Sequence, residues 1–292
     1  MNNETETEIT PPFARVSYRN GMLLDATDFS DEQAYHRDRL AEALKWLHGS
    51  GTVAGLKVEA IRKDTSMPDG DKADEDMIVV HPGLALDRKG RLIEVPKFSK
   101  RGSNLRILRL DKWLASIAPT GSAVLKPLTS GSRRQLLADV FLRYLETPKG
   151  LRPAFPEDGA DATDAAVTSR LNDGFELVMA PRSSDQAVLP RKPFQPPPAT
   201  RQALLDAIYA SYDPAEGPPE YPVAPMDDTP AGTPAKKLKE KSAVFLARVF
   251  IRLTDAPDAD LLRHHDGDLT IEDKDRLVLP AAELLLGLTP LA

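Results

Sequence analysis

Apolar residues between Ser30 and His48 follow a helical period. Leu40, Leu44 and Leu47 recur at spacings of four and three, which places them along one face of a helix. The serine stands three residues before a glutamine, which is the spacing of a capping box at a helix start. The pattern therefore predicts one helix from Ser30 to His48, with its leucine face packed on the rest of the protein.

Three glycines follow this helix within the sequence HGSGTVAG. Gly49 stands where a left-handed residue ends a helix, His48 suits the free carbonyls of the last turn, and Gly51 lets the chain reverse. A phosphate cradle needs the opposite order, in which glycines follow a strand and precede a helix N-terminus. His48, Gly49 and Gly51 are therefore predicted to be structural turn residues.

Apolar runs bounded by turn residues predict β-strands along most of the remaining chain. Between two of these runs, the sequence LDRKG places Asp87 at the start and Gly90 at the end of a hairpin turn with a following bulge. A second hairpin with an acidic turn is predicted over residues 269–280. The other predicted strands cover residues 52–61, 77–86, 91–95, 138–146, 168–179 and 242–253.

Four segments have a less regular pattern. Residues 13–24 predict a short strand that leads into a turn at Asn20-Gly21. Residues 105–118 begin like a strand and end like a helix. The acidic residues 64–76 lack the regular spacing of a calcium-binding loop and predict a solvated loop. Residues 147–166, rich in proline and acidic residues, predict another loop.

Proline marks the segment 181–235, which holds 13 of the 26 prolines of the chain. Proline removes backbone donors and favours extended chain, so the segment predicts a long arm with one short helix over residues 200–212. Such an arm is suited to wrapping a neighbouring subunit, and large side chains anchor contacts of this kind. The predicted contact residues are Tyr209, Tyr212 and Tyr221 in the arm, and Leu285 and Leu286 in the apolar C-terminal tail.

These elements together predict an α+β, mainly β protein. The N-terminal helix is expected to pack on a hairpin-rich β core, either a sandwich or a barrel-like fold, from which the long proline-rich arm departs. The predicted organisation is a flexible N-terminal arm over residues 1–12, the helix and β core over 13–180, the arm over 181–235, and a C-terminal hairpin region over 236–292 that completes the core.

Composition narrows the class of protein. The 292 residues are 41% apolar and 28% charged, which is typical of a globular protein with a core of its own. The net charge of −6 speaks against a nucleic-acid partner, and no apolar run is long enough for membrane insertion. Cysteine is absent, which excludes disulfides, thiolate metal sites and cysteine nucleophiles and fits synthesis in a reducing cytoplasm.

Catalytic motifs are missing from the sequence. It has no nucleophile elbow, no phosphate-binding loop, no dinucleotide-binding glycine pattern and no zinc-protease helix motif. The best metal candidate is HHDGD at residues 264–268, but the adjacent His264 and His265 would point apart on a strand or helix. We therefore predict no enzyme activity, no bound metal and no cofactor.

Residues 19–58, RNGMLLDATDFSDEQAYHRDRLAEALKWLHGSGTVAGLKV, resemble the N-terminal segment of an uncharacterised family of structural proteins. That family is found with contractile injection systems and phage-tail-like particles. The blocks VHPGLALDRKGRLIEVP, VFLRYLE, SRLNDGFELVM and VFLARVFIRL resemble later parts of the same family, so the likeness covers most of the chain except the proline-rich arm. Members often carry cysteine between the RYLE and GFEL blocks, and this chain does not. The matching steps in the first segment are Gly21 to Leu24, Asp28-Phe29, Glu32-Gln33, Tyr35 to Arg37, Leu47 to Gly49 and Gly55 to Val58.

The resemblance implies a structural, non-enzymatic subunit of a phage tail or contractile injection particle. The expected position is the baseplate or a fibre or collar attachment point. The implied partners are other subunits of the particle, with a homo-oligomer as a further option, and the particle would be assembled in the cytoplasm.

Two other functions remain open from the sequence. A carbohydrate-binding or glycan-degrading module of such a particle would need clustered tryptophan or tyrosine and, for hydrolysis, two facing carboxylates. A metal-dependent enzyme centred on residues 264–268 would need His264 among its ligands.

Overall fold

A computed structural model describes residues 15–66, 72–97, 107–121, 128–130, 133–153, 166–182, 199–211, 242–254, 262–264, 269–274 and 276–279. Within these residues the chain forms three antiparallel sheets and three helices, and strand residues outnumber helical ones. The predicted α+β, mainly β class is confirmed.

The three helices are α1 (Ala26–His48), α2 (Leu110–Gly121) and α3 (Arg201–Ser211). The first six strands are β1 (Gly51–Gly55), β2 (Val58–Ile61), β3 (Met77–Val80), β4 (Gly83–Leu86), β5 (Leu92–Val95) and β6 (Ile107–Arg109). The remaining strands are β7 (Leu128–Ser130), β8 (Arg133–Pro153), β9 (Ala166–Arg182), β10 (Val244–Arg252) and β11 (Leu269–Glu272).

Helix α1 begins four residues earlier than the sequence pattern predicts. Asp25 is the N-cap, and its side chain accepts hydrogen bonds from the backbone N–H groups of Thr27 and Asp28 at 2.8 and 3.1 Å. The Asp28 carboxylate accepts in return from the Asp25 N–H, so two aspartates form the capping box in place of Ser30 and Gln33. The helix ends at His48 as predicted, followed by Gly49 with φ of 77°.

A sharply bent two-stranded ribbon replaces the two long strands predicted over 52–61 and 77–86. β1 pairs with β4 and β2 pairs with β3, but β1 and β4 lie in one sheet and β2 and β3 lie in another. Gly55 and Leu56 both have positive φ at the bend. A Cβ on Gly83 would lie 2.3 Å from the carbonyl oxygen of Ala54, so the two backbones meet where only glycine fits.

The hairpin turn between β4 and β5 has the predicted geometry. The Asp87 side chain is fully buried and accepts from the N–H groups of Lys89 and Arg91 at 2.9 and 2.8 Å. Gly90 has φ of 80° and donates to the Asp87 carbonyl at 3.0 Å. This turn also touches α1, because a Cβ on Gly90 would lie 1.9 Å from the carbonyl oxygen of Ala41.

The largest sheet has the strand order β11-β10-β8-β7, with β9 paired along β8. β8 and β9 are far longer than predicted: their register runs from Leu137 opposite Arg182 to Pro153 opposite Ala166. The loop predicted over 147–166 is therefore wrong for residues 147–153, which continue β8, and for residue 166, where β9 begins. A strand shows alternating apolar and polar residues only when one of its faces is buried. Here the described side chains on both faces are exposed, so the sequence does not show that pattern.

One core lies between the bent ribbon, the largest sheet and α2. It combines buried residues of β3 and β5 with alternate residues of β8 and β10, among them Ile78, Ile93, Val140 and Val249. Helix α2 closes it with Leu110, Leu114 and Trp113, whose indole N–H donates to the Met179 carbonyl at 2.9 Å. The strand-then-helix pattern predicted over 105–118 is confirmed in β6 and α2.

Three smaller predictions need correction. Asp76, predicted in a solvated loop, is 3% exposed and forms an ion pair with the buried Arg263. The described residues 15–24 form no strand, although Asn20-Gly21 makes the expected turn. The described residues of the second predicted hairpin, 269–274 and 276–279, do not pair as strands with each other: residues 277–279 pair in parallel with Thr52 of β1 rather than with β11.

Candidate assembly surfaces

Helix α1 lies on the surface and has no buried residue. Its partly buried positions include Ala34, Ala41 and Lys45, which share the side that faces the β4–β5 turn. Two of the three leucines predicted to pack on the core do not do so: Leu40 is 58% exposed and Leu47 is 77% exposed, whereas Leu44 is partly buried. The turn approaches the helix backbone itself at Ala41.

An outward apolar stripe therefore runs along α1 on the side away from the body. Phe29, which is 50% exposed, lies within about 40° of one line with Leu40 and Leu47, at the helical angle of about 100° per residue. We call Phe29, Leu40 and Leu47 the outward stripe. Leu23, just before the helix, is 93% exposed. Large apolar side chains exposed in a row mark a surface for contact with another protein.

A second projecting element is the far half of the β8–β9 hairpin. β10 covers the neighbouring edge of β8 only as far as Leu142, which pairs with Val244. Beyond that point, residues 146–152 and 168–173 are exposed at every position. We call these two stretches the outer ribbon. Its large apolar side chains Leu151 and Leu171 are 74% and 62% exposed.

The base of the outer ribbon is fixed to the body by a chain of polar contacts. Arg91 donates from Nε to the Asp87 carboxylate at 2.8 Å, and its guanidinium lies 4.4 Å from the centre of the Tyr144 ring. The Tyr144 hydroxyl donates to Asp173 on the opposite strand. Burial and the Asp173 carboxylate raise the pKa of Tyr144 to about 12, which keeps the hydroxyl protonated as a donor. The hairpin turn and the ribbon are thereby held together.

The arm helix α3 also exposes apolar side chains. Thr200 accepts from the Ala203 N–H at 3.1 Å and begins the helix close to the predicted position. Leu204, Ile208 and Tyr209 are 45%, 49% and 71% exposed. Tyr209 is thus placed where a partner could reach it. The other predicted contact residues, Tyr212, Tyr221, Leu285 and Leu286, lie outside the described residues.

The predicted turn residues sit at corners of the backbone. Gly51 packs against the C-terminal segment, because a Cβ there would lie 2.8 Å from the Leu277 carbonyl oxygen. His48 is exposed in the last turn of α1, and Gly49 donates its N–H to the Lys45 carbonyl at 3.0 Å. These contacts are backbone geometry, and none of them forms a cleft for a phosphate.

Titratable side chains gather at the bend of the ribbon. Glu59 on β2 contacts Nε2 of His81 at 2.6 Å and is hydrogen bonded to Lys57. The hydrogen bonds from Lys57 and His81 lower the pKa of Glu59. The Glu59 carboxylate thus has two side-chain partners on the surface, and such exposed contacts add little to stability.

Side chains that could bind a metal ion do not lie together in the part of the chain that the structure describes. It contains no group of three or more histidine, aspartate or glutamate residues that could hold a metal ion. Of the candidate segment 264–268 only His264 is described, and its N–H donates to the Arg252 carbonyl at 3.0 Å. Among these same residues, no helix combines the length and the apolar character needed to span a membrane.

Both tryptophans are engaged in the fold. Trp113 is buried under β9, and Trp46 is half-buried, with its indole N–H bonded to Glu42 and its ring beside Lys45. Stacking of a sugar ring needs an exposed aromatic face. The tryptophans therefore give no support to the glycan-binding alternative.

Models of known protein families gave no match to this sequence, and a comparison with curated proteins gave none either. The resemblance to proteins of tail-like particles therefore stays a prediction from the quoted sequence blocks.

Proposed function

We propose that the chain is a structural subunit of a phage tail or contractile injection particle that acts through subunit contacts. Its position would be the baseplate or a fibre or collar attachment point, after assembly in the cytoplasm. The observation that carries the proposal is the pair of projecting elements, the outward stripe of α1 and the outer ribbon, on a body whose core is complete without them.

The outer ribbon supports a contact role because it adds little to the stability of the chain alone. An isolated two-stranded hairpin is marginal in water, and this one buries none of the side chains described along residues 146–152 and 168–173. Lys149 lies directly opposite Arg170, a like-charge pair that opposes strand pairing. A sequence selected only for folding gains nothing from such an extension, whereas an arm that binds a neighbour does.

The outward stripe supports the same role for a different reason. Exposed leucines at helical spacing on the side away from the body leave apolar surface in contact with water. Each such side chain gains about 1.5–3 kcal/mol when it is fully buried. A neighbouring subunit can supply that burial, as in the helix-in-groove contacts that anchor at a few residues along one helix face.

Copurification tests this proposal. Particles from the native source are isolated by sedimentation, and the chain is quantified by mass spectrometry against the other particle proteins. We expect a fixed stoichiometry across gradient fractions, because a built-in subunit sediments with its particle. Recovery of the chain only as free protein would contradict the proposal and favour the alternatives, a glycan-binding module or an enzyme.

A further inference from the structure

Helix α1 carries a regular seam on its outward side. Seven positions alternate at spacings of three and four residues, which is the a and d pattern of a coiled coil. Every one of them is exposed. In order they are Ala26, Phe29, Gln33, His36, Leu40, Ala43 and Leu47, with Ala26, Gln33, Leu40 and Leu47 at a positions.

We propose that this seam binds the same helix of a second copy of the chain, parallel and in register. The inference rests on the proposed contact role of the outward stripe and names its partner. Charge complementarity favours a copy of the chain itself. Glu32 occupies a g position and Arg37 the following e position, the two positions that pair between parallel helices. In a symmetric pair Glu32 of each copy faces Arg37 of the other copy, so the dimer has two such contacts.

Gln33 fixes the register of this pairing. It is a polar residue at an a position, between the apolar Phe29 and Leu40. Gln33 at a and His36 at d are the two polar residues of the seam. A buried polar residue at an a position specifies alignment, because it is satisfied only when it meets another polar group. In the in-register pair Gln33 meets its own counterpart, and two amides supply both donors and acceptors. A register shifted by one heptad would place one Gln33 amide against Leu40 and the other against Ala26.

The body of the protein leaves room for this pairing. Among the partly buried positions of α1, Ala34, Ala41 and Lys45 lie on the side opposite the seam, whereas Glu32 and Leu44 lie at its flanks. The β4–β5 turn meets α1 on this side, at Ala41. A second helix can therefore approach the seam without meeting the sheets of the same chain.

Cysteine cross-linking tests the geometry, since the chain has no cysteine of its own. Leu40→Cys places one thiol in the seam. Residues at a face their own counterparts in a parallel pair, and a disulfide needs Cα atoms within about 7 Å. We expect covalent dimer from purified full-length Leu40→Cys under mild oxidation. Asp38→Cys, on the far side of the helix, is the matched control and should give little. Equal cross-linking of the two variants, or none in either, would overturn the proposal.

The mass of the purified chain in solution gives a second, independent result. Analytical ultracentrifugation over a concentration series should show twice the 32.0 kDa mass of one chain. Leu40→Glu should weaken association by at least about a hundredfold, because it buries a charge in the seam. A monomer at all concentrations, or a dimer that survives Leu40→Glu, would contradict homotypic pairing. Either result leaves copurification with particles untouched, so the two proposals fail separately.

Discussion

At the scale of single residues, Asp87 carries more of the structure than its place in a turn suggests. Its carboxylate accepts two backbone N–H groups and pairs with Arg91 at 2.7 Å, and its side chain is fully buried. Arg91 in turn lies over Tyr144 at the base of the outer ribbon. The sequence predicted the turn from the aspartate and the glycine, but the link to Tyr144 joins residues distant in the chain and has no local pattern.

Replacing Asp87 with alanine should therefore be strongly destabilising. The change leaves two turn N–H groups and the Arg91 guanidinium without their acceptor, which costs about 2–4 kcal/mol of unfolding free energy. Urea denaturation measures the loss. Asp38→Ala is the control, because Asp38 is 52% exposed and pairs with its neighbour Arg37 on the surface. A loss no larger than that of the control would show that the turn does not depend on the carboxylate.

Tyr144 should make stability depend on alkaline pH. Its folded-state pKa of about 12 lies above the ordinary value of 10.0, so the protonated hydroxyl stabilises the fold. This contribution is complete below pH 10 and is lost as the pH rises towards 12. Denaturation curves across this window should show a steeper decline for the native chain than for Tyr144→Phe, which lacks the ionisable group. Parallel declines would contradict the contact with Asp173.

At the scale of elements, the N-terminal helix and the β4–β5 hairpin followed from the sequence, whereas the start of the helix, the second hairpin and the length of β8 did not. The period of the leucines predicted a helix at α1, but not that Leu40 and Leu47 face outward, since a periodic stripe looks the same whether it meets the core or a partner. Pro82-Gly83 predicted a bulge or an edge position within one strand, but not a bend that divides the ribbon between two sheets, because that depends on which distant strands pair with each half. The length of β8 was missed because its far half has no buried face.

Two glycines with nearly equal φ allow a matched test of how α1 docks. Gly21 has φ of 83° and open space where a Cβ would stand, whereas Gly90 has φ of 80° and would place a Cβ against the Ala41 carbonyl. Alanine at Gly21 should cost about 1 kcal/mol from the left-handed backbone alone. Alanine at Gly90 should cost about 1–3 kcal/mol more, because the turn and α1 must separate. Thermal denaturation of both variants measures the difference, and equal losses would place α1 away from the turn.

Trimming the outer ribbon tests its independence from the core. Residues 147–172 can be replaced by Asn-Gly, which suits a two-residue hairpin turn between the paired Glu146 and Asp173. The described side chains removed from β8 and β9 are exposed, so the melting temperature should change by only a few degrees. The trimmed chain should fold and yet fail to enter particles. Unfolding of the trimmed chain would mean that the ribbon belongs to the core.

At the scale of the whole molecule, the described chain is a β core with elements that project from it. The core places no metal-binding cluster among the described residues, and both tryptophans are engaged in the fold. The composition and the missing motifs predicted a protein without a catalytic centre. The family resemblance added the prediction that the chain is a subunit of a tail-like particle. What the sequence could not supply is which surfaces stay uncovered, because exposure depends on the packing of distant segments. Here those surfaces are the outward stripe and the outer ribbon.

Cross-linking of intact particles, read by mass spectrometry, tests the central claim most directly. Lys149 in the outer ribbon offers an amine at the proposed contact, and Lys57 and Lys274 offer exposed amines on the body, with side chains 70% and 72% exposed. The account predicts that Lys149 joins other subunits more often than either body lysine does. Links from the body lysines to neighbours, with none from Lys149, would contradict the contact role of the ribbon.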